Sequence, residues 1–283
     1  MTHRHAPIAE LAAARILVTN DDGITAPGIK VLEKIARSLS RDVWVVAPET
    51  QQSAVSHSLT VRRPLRAQRL APRRFAVEGT PTDCVLVAVH DILGKRPPDL
   101  VLSGINMGAN LGEDIGYSGT VAAAMEATLL GRRAIALSLD LPERNGATPR
   151  KPRWDTCERL LPDIIRRLAA QPWPDETLVN VNVPDRSLDT ISGVRVAHQG
   201  RRKQGLALEK RTDPDGRPYY WLVDWSKSTS ARSSSWKMVT RRAGPRAVAS
   251  LSLISPPRWM SVPTCWCATA GTRWLPVSPS TGT

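Results

Sequence analysis

Apolar and polar positions come in blocks along most of the chain. Residues 15–19 (RILVT) form a short apolar run that stops at the turn-forming cluster Asn20, Asp21, Asp22 and Gly23. After Pro27 and Gly28 the apolar residues Ile29, Leu32, Ile35, Ala36 and Leu39 recur at helical spacing, which predicts an amphipathic helix opened by proline. Residues 43–47 (VWVVA) read as a second buried strand, ended by Pro48. A polar loop over 49–58 and an Arg-rich stretch over 62–74 follow, and Thr80 to Asp83 supply a helix start before the apolar residues 84–89. Residues 99–103 predict a third strand that leads into a glycine-rich loop. Ser118 or Thr120 can cap a helix over 121–130, which Gly131 ends. Residues 133–139 and 178–183 read as further strands.

Strands apolar on both faces, alternating with helices, predict an α/β fold. The expected architecture is three-layered and Rossmann-like, a mainly parallel sheet with helices on both faces. Ligands of such sheets bind beyond the carboxyl ends of the strands, so the polar clusters after the first three strands are expected to converge.

Composition narrows the class. A chain of 283 residues, 41% hydrophobic and 23% charged, suits one large domain with or without an appendage. No run of 18 apolar residues exists, so no membrane span is predicted. Residues 1–14 lack the long apolar core of a secretory signal and read as an N-terminal extension. Four cysteines make no disulfide framework, so a cytoplasmic location is expected.

The net charge of +13 suggests nucleic acid until its distribution is seen. All 26 acidic residues lie within 1–224, beside 31 Lys and Arg. Residues 225–283 hold eight Lys and Arg, no acid, 12 Ser and five of the nine Trp. Two compositions are joined in one chain.

Asp21 and Asp22 are adjacent carboxylates at a strand end. An Asx-turn or helix cap would use them structurally; against that, neighbouring aspartates repel unless a cation neutralises them, and hard oxygen ligands suit Mg²⁺, Mn²⁺ or Ca²⁺. The loop over 103–120 carries five glycines between 104 and 119. Backbone freed of side chains can approach a phosphate and offer N–H groups, and the following helix adds its positive end. Asn106 and Asn110 supply amides there, Ser118 and Thr120 hydroxyls. The pattern matches neither the Walker nor the dinucleotide fingerprint, and a long surface loop is the plain alternative. His57 could be a general acid but reads more simply as a surface residue. Cys84 reads as core, and Cys265 and Cys267 lack a second pair at zinc spacing. The Arg-rich stretch is a solvated surface or a phosphate-steering one.

Together these motifs resemble the survival protein E (SurE) nucleotidases. The segments that carry the likeness are 15–23 (RILVTNDDG), 26–28 (APG), 45–48 (VVAP), 79–84 (GTPTDC), 103–112 (SGINMGANLG) and 117–126 (YSGTVAAAME). It continues through 179–184 (VNVNVP) and 213–221 (DPDGRPYYW). The resemblance implies a nucleotidase domain over 15–222 that removes phosphate from nucleoside 5′- and 3′-monophosphates. It implies one divalent cation per subunit, Mg²⁺ or Mn²⁺, on Asp21, Asp22, Ser53 and Asn106. Asn110, Ser118, Gly119 and Thr120 would line the phosphate site. Asp21 and Asp22 would be catalytic, either one able to take the attacking water's proton. No membrane and no specific nucleic acid is expected as a partner, and a homodimer or homotetramer is.

The family's C-terminal part carries acids and a subunit-pairing arm, and the chain departs from that after about residue 222. Trp and Met have single codons, so Trp259-Met260 reads TGG-ATG, and the frame starting on each third base gives GAT, Asp. Cys265-Trp266-Cys267 likewise gives Leu-Val, and Trp225-Ser-Lys-Ser can become Glu-Gln-Glu. Residues 223–283 are therefore expected to be a frameshift product, basic, rich in Ser, Trp and Pro, and poorly ordered. A catalytically impaired nucleotide- or nucleic-acid-binding protein is the alternative this leaves.

Overall fold

The computed structural model describes residues 4–141, 151–200, 206–224 and 247–254. In chain order the elements are β1 (Arg4–His5), β2 (Arg15–Thr19), α1 (Pro27–Leu39), β3 (Asp42–Pro48), β4 (Ala67–Ala71), β5 (Arg74–Val77), α2 (Pro81–Val87), β6 (Leu100–Met107), α3 (Gly119–Leu129) and β7 (Arg133–Asp140). There follow α4 (Trp154–Ala169), β8 (Trp173–Pro174), β9 (Leu178–Pro184), β10 (Ile191–Val196), β11 (Leu206–Thr212), β12 (Pro218–Asp224) and β13 (Ala247–Ile254). Nine strands form one sheet in the order β10-β13-β9-β7-β6-β2-β3-β5-β4. From β9 through β5 every neighbouring pair is parallel. The edge strand β4 runs antiparallel to β5, and β13 antiparallel to β9. This is the expected α/β architecture with a mainly parallel sheet.

The period of two along each strand divides the core between two faces. Ile16 and Val18 of β2 join Ile29, Leu32 and Ile35 of α1 and Leu161 and Ile165 of α4. Leu17, one residue on, joins Val85 of α2 and Val121 and Ala124 of α3 on the opposite face. Both faces are therefore covered, which is why the central strands read as continuous apolar runs. Each fully buried Leu or Ile contributes about 1.5–3 kcal/mol.

Helix α4 and the hairpin β4–β5 are not among the elements predicted above. Cys157, Leu160, Leu161, Ile164 and Ile165 form one buried face of α4, with Pro162 inside the helix. The hairpin occupies the Arg-rich stretch. Strand β4 is exposed along its whole length, and charge on such an edge discourages further strand pairing. Arg73 and Arg74 are not free cations: Arg73 pairs with Asp42 at 3.2 Å, and Arg74 pairs with Glu33 and donates to the Ile24 carbonyl at 2.7 Å.

Within the acid-free stretch, β13 lies between β9 and β10, with Ala249 and Leu251 buried. The remainder of that stretch, and Cys265 and Cys267 with it, lies outside the described residues.

Candidate metal and phosphate site

Parallel pairing sets the ends of β2, β3 and β6 side by side, with Thr19 opposite Ser103 and Val18 opposite Val45. Three loops leave from this edge. After β2, Asn20 Nδ2 donates to the Gly23 carbonyl at 3.0 Å and closes the turn that carries Asp21 and Asp22. Gly23 has φ +98°, where a side chain is strained, and a Cβ on it would meet the Thr50 backbone at 3.3 Å. The loop after β3 therefore packs closely on this turn. Its Gln52 N–H donates to the Asp21 carbonyl at 2.7 Å, one residue before Ser53.

The start of α3 closes the site from the other side. Thr120 Oγ1 donates to Asp21 Oδ1 at 2.5 Å, and the N–H groups at the start of α3, from Gly119 and Thr120, lie close enough to favour the charged carboxyl. A Cβ on Gly119 would lie 2.7 Å from the Asp21 Cβ, so only glycine admits this approach. Asp22 is half-buried, and the Met107 N–H at the end of β6 lies close enough to favour its charged form. Asn106 precedes it, and its Nδ2 donates to the Gly108 carbonyl at 2.8 Å. That bond leaves Oδ1 as the atom available to a hard cation.

Burial pushes the Asp21 pKa up, against the Thr120 hydroxyl and the surrounding N–H groups, which pull it down. Asp22 is pushed up to about 6 by burial and by the charge of Asp21, while the Met107 N–H pulls it down. Among the described residues no lysine or arginine stands among the main influences on either carboxyl. Two neighbouring carboxyls without a cationic partner are what a divalent cation would relieve. Among the described residues no cluster of three His, Cys, Asp or Glu forms. A cation here would therefore have two carboxylates and neutral oxygens as ligands, a set that fits Mg²⁺ or Mn²⁺ better than zinc.

Ser118 caps α3, its Oγ accepting from the Val121 N–H at 3.1 Å, so its own hydroxyl hydrogen stays available to a ligand. Gly119 and Thr120 supply N–H groups at the positive end of an eleven-residue helix, the arrangement that binds phosphate elsewhere. Asn110 is anchored differently. Its Nδ2 donates to Ser138 Oγ at 2.8 Å, its N–H to Asn182 Oδ1 at 2.9 Å, and its carbonyl accepts from Asn180 Nδ2 at 2.9 Å. Direct contacts thus join Asp21, Gly119 and Thr120. Ser53 and Asn106 are brought to the same edge by their chain neighbours, and Asn110 is held to β7 and β9.

Asn180 and Asn182 carry no role in the sequence reading, although two buried amides two residues apart in an apolar strand were a visible signal. His57 is also more than a surface residue: its Nε2 lies 2.7 Å from Glu126 Oε2 on α3. Cys84 is buried on α2, and burial pushes its thiol well above the ordinary value; it is a core residue as expected.

Comparison with known proteins identifies the family. The family model described as survival protein SurE matches residues 16–205. The 5′-nucleotidase SurE of Paramagnetospirillum magneticum is 56% identical over 216 residues, 76% of this chain and 81% of that protein. The 5′-nucleotidase SurE of Rhodospirillum rubrum is 55% identical over 76% of this chain and 82% of its own length. The crystal structure of the SurE protein from Aquifex aeolicus superposes with a TM-score of 0.69 at 33% identity, covering 88% of this chain and 94% of that one. With the family model spanning well over half of its length, the chain belongs to the survival protein SurE family.

Proposed function

We propose that this protein is a metal-dependent phosphomonoesterase that hydrolyses nucleoside 5′-monophosphates, and 3′-monophosphates, to nucleoside and phosphate. The observation that supports this most is the convergence on Asp21: the Gln52 N–H holds its carbonyl while Thr120 and the start of α3 hold its carboxylate. The names of the relatives, 5′-nucleotidase SurE, point to the same chemistry. One Mg²⁺ or Mn²⁺ per subunit would be held by Asp21, Asp22, Ser53 and Asn106. When bound, it supplies Lewis-acid polarisation of the phosphoryl group and a more acidic water.

The chain's own residues do the rest. The Ser118 hydroxyl and the positive end of α3, where Gly119 and Thr120 stand, receive phosphoryl oxygens and stabilise charge as the ester oxygen leaves. Asn110 sits on its asparagine-lined support as a further amide donor. Asp21 already accepts the Thr120 hydroxyl, so the half-exposed Asp22 takes the attacking water's proton. A homodimer or homotetramer in the cytoplasm completes this reading; among the described residues no helix is long and apolar enough to cross a membrane.

The test is hydrolysis of 5′-AMP and p-nitrophenyl phosphate with Mn²⁺ present. Asp22→Asn is expected to lower kcat/KM at least about a hundredfold, the usual scale for a positioned acid–base group. Activity near that of the unmodified protein would overturn the assignment.

A further inference from the structure

The loop that carries Ser53 is conformationally expensive. Ala54 and Ser56 both have positive φ, +58° and +55°, and a non-glycine residue in that region persists only where its surroundings hold it. Five bonds do so. The Gln52 N–H donates to the Asp21 carbonyl at 2.7 Å, and Ser56 Oγ to the Gly116 carbonyl at 2.7 Å. Thr80 Oγ1 donates to the Ser58 carbonyl at 2.8 Å, and the Thr60 N–H to Asp83 Oδ1 at 3.1 Å. The fifth is the side-chain pair of His57 Nε2 and Glu126 Oε2 at 2.7 Å, 22% and 12% exposed. It crosses from the Ser53 loop to the body of α3, the helix whose first turn touches Asp21.

We propose that His57 and Glu126 form a latch that positions Ser53 against Asp21 and Asp22, and so sets the affinity of the site for a divalent cation. This rests on the reading of Ser53 as a metal ligand. Without the pair, Ser56 is the only side chain of residues 53–58 that still ties this loop to α3 or the turn before it, and left-handed Ala54, which no side-chain bond holds, is free to relax. The Ser53 hydroxyl then leaves the position at which it shares a cation with the two carboxylates. Neither His57 nor Glu126 touches substrate; both are positioning residues.

Calorimetric titration of Mn²⁺ alone into the full chain tests this, with Ser53→Ala, His57→Ala, Glu126→Ala and Glu126→Gln beside the unmodified protein. A glutamine can still accept from His57, so it is the conservative variant. His57→Ala and Glu126→Ala are each expected to weaken Mn²⁺ binding about tenfold or more, the scale seen when a partner behind a metal ligand is lost. A variant carrying both His57→Ala and Glu126→Ala should bind no more weakly than either single one, and Glu126→Gln should stay within about threefold of the unmodified protein. Metal-free melting temperatures of the single variants should fall by no more than about 3 °C, a loss of about 1 kcal/mol. Mn²⁺ affinity as in the unmodified protein in either alanine variant overturns the latch, and so does failure of both to fold, which would make the pair structural. If Ser53→Ala alone leaves Mn²⁺ binding intact, the metal-ligand reading of Ser53 fails instead.

Discussion

At the scale of single residues, the site depends on atoms that are absent as much as on those present. A methyl group on Gly119 would sit 2.7 Å from the Asp21 Cβ and 3.0 Å from its Oδ2. Both neighbours are held, so Gly119→Ala must displace the carboxylate or the first turn of α3. Overpacking of this kind costs about 1–3 kcal/mol, and a misplacement near 1 Å costs about a hundredfold in rate. Phosphatase assays on Gly119→Ala are expected to show that loss while the protein stays folded; a rate within a few-fold of the unmodified protein would contradict the close-approach argument. Asp22 makes a pH prediction. Its folded pKa is raised, to about 6 from 3.8, so the protonated form suits the metal-free fold. The stabilisation it gives is complete below pH 3.8 and is lost as pH rises through 6. Solvent screening at this half-exposed group reduces the effect to about 1–2 kcal/mol. In metal-free melts at pH 4 and pH 7.5, Asp22→Asn should lose less stability on going to the higher pH than the unmodified protein does, and Mn²⁺ at pH 7.5 should remove the difference.

At the scale of elements, the C-terminus of α4 is closed by a residue of a neighbouring strand. Arg133, at the start of β7 and 3% exposed, donates from Nη1 to the Ala169 carbonyl at 2.8 Å and from Nη2 to the Gln171 carbonyl at 2.5 Å. Its guanidinium lies 4.3 Å from the ring centroid of Trp173. Arg133→Met keeps the bulk but leaves the Gln171 carbonyl without its donor and the Ala169 carbonyl with the Ile8 N–H alone, at 2.9 Å, which is expected to cost about 1–3 kcal/mol. Arg133→Lys should recover only part of that, since an ammonium cannot span both oxygens; urea denaturation of the two variants measures the difference, and equal stability would refute the capping role. Nothing in the residues around Arg133 announces such a partner, because α4 itself is hard to see: Pro162 interrupts its pattern. By contrast, the strand-turn-helix succession from Arg15 to Leu39 is fully legible, since buried parallel strands are unbroken apolar runs and the helix between them is amphipathic. The site was legible in the same way, wherever a polar cluster ended an apolar run. What stayed hidden is what the chain order does not encode: that Asn110 is the residue the amides of Asn180 and Asn182 hold, and the pairing of His57 with Glu126 across 69 residues.

At the scale of the whole molecule, the uneven charge bears on the sheet as well as on possible partners. A shift of reading frame near residue 223 remains our proposal for the acid-free composition, and resequencing the coding DNA tests it; an intact frame as given would end it. Whatever its origin, that stretch supplies β13, a strand inside the sheet. Five residues of β13, Ser250 to Ile254, pair with β9 over Leu178 to Asn182, and among the described residues the other edge of β13 is the only sheet partner of β10. Ending the chain after Asp224 removes both pairings at once. Strand β9, with Val179, Val181 and Val183 buried, becomes a bare edge, and β10 loses its place. Burial of Leu251 alone is worth about 1.5–3 kcal/mol, and an apolar uncovered edge invites pairing between chains. The truncated protein is therefore expected to have a lower urea midpoint and to elute as larger, heterogeneous species in size-exclusion chromatography. In the sheet order β9, β7 and β6 stand between β13 and β2, so the Mn²⁺ affinity of the fraction that folds should stay within about threefold of the full chain, as distant sites behave independently. A truncated chain with an unchanged midpoint and elution volume would show that β13 adds nothing to the sheet.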